Sequence, residues 1–247
     1  MTRNEGQASV ILDNVCKLIQ KKVHADNVLL VEKFAKSLYS NMSKEDLAHR
    51  NDSDLYGAAL SLWNSLEKNT SDDAVIRVFN PEVAKDGWQS SHTIVEIIAK
   101  DMPFLVDSVR MAMTRENIAS HLLLHSPLKI QRDKNAKISA LSNLKAEQES
   151  SSTKTVFFIE IDRQTDSSVI DSFKKELESV LNDVSTAVED WQPIRKKLIA
   201  VSKELPKRNH NNNASEVAET VEFLDWLVKD NFTLMGYRQY DLSPVQG

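Results

Sequence analysis

His92-Thr-Ile-Val-Glu-Ile-Ile-Ala-Lys-Asp-Met-Pro-Phe-Leu-Val-Asp-Ser-Val-Arg-Met-Ala-Met-Thr-Arg-Glu-Asn-Ile-Ala-Ser-His-Leu-Leu-Leu-His125 is the stretch on which the fold reading turns. It reads as strand, tight turn, helix and strand. Thr93 to Ala99 is apolar and β-branched, the composition of a buried strand. Asp101-Met-Pro103 stops it and starts a helix, with Pro103 expected at the first helical position, where a missing N–H costs nothing. Leu105, Val109, Ala112 and Met113 then recur on one helical face. Glu116-Asn117 closes the helix, because asparagine tolerates the left-handed conformation. Ile118 to Leu124 is short, apolar and expected to be a second strand.

Outward from this unit, residues 8–70 read as a helical cluster. Its apolar stripes are Leu12, Val15, Cys16, Ile19 and Val23; then Val31, Phe34, Ala35 and Leu38; then Leu55, Ala59, Leu62 and Leu66. Ser43-Lys-Glu-Asp46 resembles a capping box, and Asn51 or Asp52 can cap the third helix. Ala74 to Phe79 is a further strand, followed by Asn80-Pro81 and a loop whose Trp88 is expected to be a packing anchor. After the central unit, Pro127 to Ile130 extends or restarts a strand. Residues 132–152 read as a polar loop with a helical turn near Ala140–Leu144, and Thr155 to Ile161 as a strong strand. Asp166 caps a helix carrying Ile170, Phe173, Leu177, Val180, Leu181 and Val184, with Pro193 as its boundary. Ile194, Leu198, Val201 and Leu205 form the next stripe. The Asn-rich segment 206–215 reads as a polar link. A helix follows from about Glu216 to Lys229, and Phe232 to Tyr240 alternates as a strand would. The class is α+β. A helical cluster (1–72) precedes a ferredoxin-like β-α-β-β-α module (73–205), then the link, then a helix-strand extension (216–247) that begins a next module.

Chemistry is constrained by what the chain lacks. With 31 basic against 36 acidic residues the net charge is −5, which argues against a nucleic-acid surface. The five glycines are not clustered, so no glycine-rich phosphate loop is present. No apolar run reaches the roughly 20 residues of a membrane span, and the start does not read as a signal peptide. The single cysteine, Cys16, excludes an internal disulfide and suits a reducing cytoplasm; its place on an apolar stripe makes it packing. His121 and His125 have the spacing of a helical zinc pair, but on a strand their rings stand about 13 Å apart, which rejects a shared metal. Ser108 lacks a nucleophile elbow, Trp191 reads as a packing anchor, and Arg195-Lys-Lys197 as a solvated face. Two readings remain for the first turn. In one, Asp101 favours the helix N-terminus and Asp107 pairs with Arg110. In the other, Asp101 to Leu105 lines a small-molecule pocket whose helix-start N–H groups meet a carboxylate.

Several blocks together resemble one family. They are Leu55-Tyr-Gly-Ala-Ala-Leu-Ser-Leu-Trp63, Val78-Phe-Asn-Pro81, Gly87-Trp-Gln-Ser90, Asp101-Met-Pro-Phe-Leu-Val-Asp-Ser-Val109, Val188-Glu-Asp-Trp191 and Phe223 to Leu242. Their order and spacing resemble the N-terminal region of the large bacterial NAD-dependent glutamate dehydrogenases, and the likeness covers most of residues 1–245. Departures fall in loops: His125-Ser-Pro127 in place of His-Pro, and a turn at Arg132 to Lys137 that lacks the usual glycine.

The resemblance implies an ACT-type module at the head of a much longer enzyme. The parent deaminates L-glutamate to 2-oxoglutarate and ammonium with NAD as cofactor, and both the catalytic site and the NAD site lie beyond this fragment. ACT modules often bind amino acids near the first strand-to-helix turn. Here that turn makes Asp101, Met102, Pro103, Phe104 and Leu105 the candidate effector residues, with the effector's polar end at the N–H groups of Phe104 and Leu105. The implied partners are the rest of the parent chain, other subunits and an amino-acid effector, with no nucleic acid and no membrane. The other reading is a docking or oligomerisation module without ligand.

Overall fold

Four helices form the N-terminal layer: α1 (Arg3–Lys22), α2 (Val28–Tyr39), α3 (Lys44–Ala48) and α4 (Asp52–Lys68). The computed structural model describes residues 3–143, 152–207, 214–238 and 240. It divides into two compact units, 1–181 and 182–247. The helix starts are capped where the sequence puts short polar side chains. The Ser43 hydroxyl accepts from the Asp46 N–H, and Asn51 Oδ1 accepts from Ser53 and Asp54. The three stripes are core: Val15, Ile19, Val31, Phe34, Ala35, Leu38, Ala59, Leu62 and Leu66 are fully buried. Burial also pushes the Cys16 thiol up, so it behaves as packing.

The sheet has five strands, β1 (Val75–Phe79), β2 (Thr93–Lys100), β3 (Ser120–Arg132), β4 (Ile138–Asn143) and β5 (Ser152–Ile161), in the order β1-β2-β5-β3-β4. Every neighbouring pair is antiparallel. A short helix α5 (Val83–Asp86) follows β1, α6 (Leu105–Arg115) joins β2 to β3, and α7 (Ser167–Glu204) follows β5. Strands β2 and β3 are joined through α6 and separated by β5, the split β-α-β arrangement of a ferredoxin-like module. The outer position beside β2 is filled by β1, which comes earlier in the chain. The β3–β4 hairpin adds the fifth strand at the other edge.

Period-2 alternation divides the sheet faces. Ile94, Ile98, Leu124, Leu128, Val156 and Phe158 share one hydrophobic core with α1, α2 and α4. The opposite residues Val95, Ile97, Phe157 and Ile159 are also fully buried. They match the buried stripes of α6 (Leu105, Val109, Ala112, Met113) and of α7 (Phe173, Leu177, Leu181). Arg115 of α6 donates to Glu176 of α7 at 2.6 Å. Helix α6 ends as the sequence predicts. Asn117 takes φ 53, and the Ile118 N–H reaches back to the Met113 carbonyl at 2.9 Å, closing a Schellman motif.

Three local expectations change, and one open reading is decided. Pro103 is not the first helical residue: the chain makes a further turn and α6 starts at Leu105, with Phe104 as its cap at φ 70. The segment expected to hold a helical turn near 140 is instead β4; Ile138 and Leu141 are buried, and pairing with β3 outweighs the weak local helix signal. Pro127 lies within β3 opposite Thr155 of β5, so it extends the strand, one of the two outcomes the sequence allows. Pro193 lies inside α7, which runs on to Glu204.

In the second unit, α8 (Ala214–Trp226) passes into a π-helical turn at Leu227–Asn231. Val217, Val221, Leu224, Leu227 and Val228 are half-buried. Among the described residues of 232–240 no strand forms, which corrects the alternating pattern read there: a strand needs a partner edge. The Asn-rich segment 208–213 lies outside the described residues. Among the described residues no helix is long and apolar enough to cross a membrane.

Candidate functional site

The β2–α6 turn carries the five residues singled out by sequence. The Asp101 N–H donates to the Thr153 carbonyl at 3.1 Å, which pins the end of β2 to β5. The Asp101 carboxylate accepts from the Thr155 hydroxyl, so it faces the neighbouring strand and does not cap α6. Met102 is half-buried, Pro103 and Phe104 are exposed, and Leu105 is buried in the core. Phe104 holds φ 70 without being glycine, a conformation that costs about 1 kcal/mol or more. The residue is 51% exposed. The Ser108 N–H bonds the Phe104 carbonyl at 2.9 Å. The N–H groups of the preceding first-turn residues have no intrahelical acceptor by the geometry of any helix start. The structure thus offers donors, an exposed aromatic ring and a carboxylate within one turn. The Asp107–Arg110 pair expected on α6 does not form.

A second set of polar groups was missed by sequence reasoning. A cleft of about 390 Å³ opens between the α3–α4 junction and the sheet, walled by His49, Arg50, Trp88, His92, Phe158 and Glu160 among others. Glu160 is 4% exposed and lies on the face that meets the helical layer. Arg50 grips both its oxygens, Nη1 to Oε1 at 2.5 Å and Nη2 to Oε2 at 2.7 Å. His92 Nδ1 lies 3.9 Å from Oε2. The His92 ring sits 4.5 Å from that of His121, which bonds Asp162 at 2.6 Å. The signal was available: Glu160 and Glu96 are lone carboxylates inside otherwise apolar strands, where an unpaired charge is not tolerated.

Histidines 121 and 125 lie on β3 as expected and go separate ways: His125 stacks near Phe157 with ring centroids 6.1 Å apart. Among the described residues no group of three or more His, Cys, Asp or Glu could hold a metal ion. Trp88 is the anchor that the loop reading expected, 3% exposed and set between Phe79 and Phe158. Arg195, read as solvated, instead donates from Nε and Nη2 to the Val228 carbonyl at 3.2 and 3.1 Å.

Comparison with known proteins agrees with this architecture. The family described as "Glutamate dehydrogenase, ACT1 domain" matches residues 34–177, from within α2 to within α7. The NAD-specific glutamate dehydrogenase of Halomonas elongata is 33% identical over 238 residues, covering 96% of this chain and 15% of that protein. The NAD-specific glutamate dehydrogenase of Pseudomonas aeruginosa is 33% identical over 210 residues, covering 85% of this chain and 13% of that protein. The chain therefore spans about a seventh of the length of these relatives. With more than half of its residues matched in order, this chain belongs to the glutamate dehydrogenase ACT1 domain family.

Proposed function

We propose that this chain is the regulatory and assembly region of a large NAD-dependent glutamate dehydrogenase, the whole protein converting L-glutamate to 2-oxoglutarate and ammonium in the cytoplasm. The observation that carries this reading is the family match laid over a ferredoxin-like module. The module's own part is to hold an effector and dock to other parts of the parent, with catalysis elsewhere in the parent chain. The NAD of the parent does not fit the β2–α6 turn. A pyrophosphate is bound by bare backbone at a glycine-rich turn, whereas Asp101 to Leu105 carry side chains at every position and Phe104 occupies the one left-handed residue.

The effector is an amino acid. Its carboxylate meets the free N–H groups near Phe104 and Leu105, and the exposed Phe104 ring covers its side chain. Titration calorimetry of the chain with a panel of amino acids is expected to give saturable heat with at least one. Heat with none of them sinks the effector claim and leaves the docking claim standing. A docking role without ligand has its own support in the exposed Phe223 and Trp226, whose rings stack with centroids 6.2 Å apart. Sedimentation over a range of concentrations separates the readings: association without amino-acid binding favours docking alone.

A further inference from the structure

We infer that a second cleft, between α4, β1 and α5, binds a small polyanion carrying a di- or triphosphate group. The cleft is about 730 Å³ and is lined by Lys22, Lys68, Arg77 and Lys85 from four different elements. That volume lies within the range of small-molecule sites. Arg77 is already balanced. Its Nη1 donates to Glu96 at 2.7 Å and to the hydroxyls of Ser61 and Ser65 at 3.0 and 3.3 Å, so it forms a fixed floor. The three lysines are not balanced. Lys22 Nζ lies 5.2 Å from the Tyr56 ring centroid. Neither it nor Lys68 nor Lys85 forms an ion pair among the described residues. The one carboxylate in the lining, Asp86, accepts from the Glu82 N–H at 2.9 Å.

A chain of net charge −5 thus lines a single concavity with three lysines that form no ion pair, against one carboxylate. Like charges converging in a cleft focus a positive potential that an anion relieves. A second feature marks the wall of the cleft. Asn69 lines the same cleft at 6% exposure and its Oδ1 has no hydrogen-bond partner. Its amide group is committed to the Asp73 carbonyl at 2.9 Å, which fixes the oxygen as the unused end. A buried acceptor without a donor costs about 1–3 kcal/mol. That oxygen is closed to the cleft, so it is a cost of the wall and not a contact for the ligand. The lysines alone describe the ligand: a phosphate-bearing polyanion, held by side-chain ammonium groups and not by a glycine loop.

The test is titration of the 247-residue chain with inorganic pyrophosphate, with ATP, and with citrate as the polycarboxylate arm. One-to-one saturable binding of pyrophosphate or ATP is expected, weakening as salt rises from about 50 to about 200 mM. The double variant Lys68→Ser/Lys85→Ser is expected to lose about tenfold or more in affinity. Lys33→Ser on the exposed face of α2 is expected to lose none. All three lysines are surface residues, and far-UV circular dichroism checks that each variant keeps its fold. No saturable binding of either phosphate up to about 1 mM, or equal binding by the double variant, overturns the inference. Binding of citrate alone overturns the phosphate assignment.

Discussion

Gly57 lies in the middle of α4, where alanine is ordinarily the better residue by about 1 kcal/mol. We expect Gly57→Ala to destabilise the protein all the same. A Cβ at this position would stand 2.4 Å from Trp88 Cβ, 2.5 Å from Cγ and 2.9 Å from Cδ1. Carbon atoms prefer about 3.5–4 Å, so the overlap is about 1 Å and falls on the root of the side chain. Trp88 is packed between two rings, and only the cleft it walls beside Glu160 offers it room. It is 3% exposed, edge-on to Phe79 with centroids 6.3 Å apart and tilted against Phe158 at the same distance. Overpacking of this kind costs typically 1–3 kcal/mol, here at the upper end. Subtracting the helix gain leaves a net loss of about 2 kcal/mol, read as a lower urea midpoint by far-UV circular dichroism with little change in slope. The second arm of the cycle is Trp88→Leu, which costs about 3 kcal/mol alone but removes the obstacle. In that background Gly57→Ala is expected to be neutral or stabilising, giving a coupling of about 2 kcal/mol. A Gly57→Ala protein as stable as its parent, or an equal loss in both backgrounds, refutes the reasoning.

Arg50→Met strands the Glu160 carboxylate and is expected to cost about 3 kcal/mol, while adding Glu160→Leu recovers most of it; a double variant no more stable than the single one contradicts this. Burial pushes the Glu96 carboxyl above its ordinary value, outweighing the opposing pull of Arg77. The folded state therefore holds that proton more tightly than the unfolded chain. The favourable contribution is complete below the ordinary carboxylate range and is lost as pH rises through the raised folded value. Glu96→Gln is thus expected to gain in stability relative to its parent as pH rises above the ordinary carboxylate range, and a gap in urea midpoints that shrinks as pH rises is the wrong sign. Ala136 holds φ 62 in the β3–β4 turn, so Ala136→Gly is expected to add about 0.5–1 kcal/mol, and a lower thermal midpoint counts against strain there.

What could be read from the sequence was whatever depends on spacing along the chain. The helical stripes, the Ser43 and Asn51 caps and the Asn117 closure are local, and each appears where its residues predict. Strand β4 was not legible, because Ile138 to Asn143 is short and mixed in character and becomes a strand only by pairing with β3. The start of α6 was misplaced by two residues. A proline after an aspartate resembles a helix start, and nothing local announces that Phe104 will turn left-handed before the helix begins. The glycine missing from the Arg132 to Lys137 turn was legible, and its consequence is the positive φ of Ala136. Here Asp133 Oδ1 accepts from Asn135 and Lys137 at 2.8 and 2.9 Å and holds the turn closed. The lysine cleft was invisible because Lys22, Lys68, Arg77 and Lys85 are spread over more than sixty residues.

Two buried carboxylates on one sheet face raise a question of design. Glu96 on β2 and Glu160 on β5 are 1% and 3% exposed, in the apolar layer between the sheet and the N-terminal helices. Burying a carboxylate costs several kcal/mol, and its partner repays this only in part. Stability is therefore a poor reason for either pair. Position is a better one. Arg50 comes from the α3–α4 junction and Arg77 from the edge strand β1, so each guanidinium meets its carboxylate from a different element. The fully buried side chains Phe34, Leu38, Leu62 and Leu66 could slide along an apolar sheet at little cost. Arg50 cannot move one strand position without leaving Glu160 unpaired, at the penalty estimated above for Arg50→Met. Arg132 adds a third fixed point, with Nη2 donating to the Leu66 and Asn69 carbonyls at 2.8 Å at the C-terminal end of α4. The helical layer is thereby held on the sheet in one register, and the family match that begins inside α2 covers both layers.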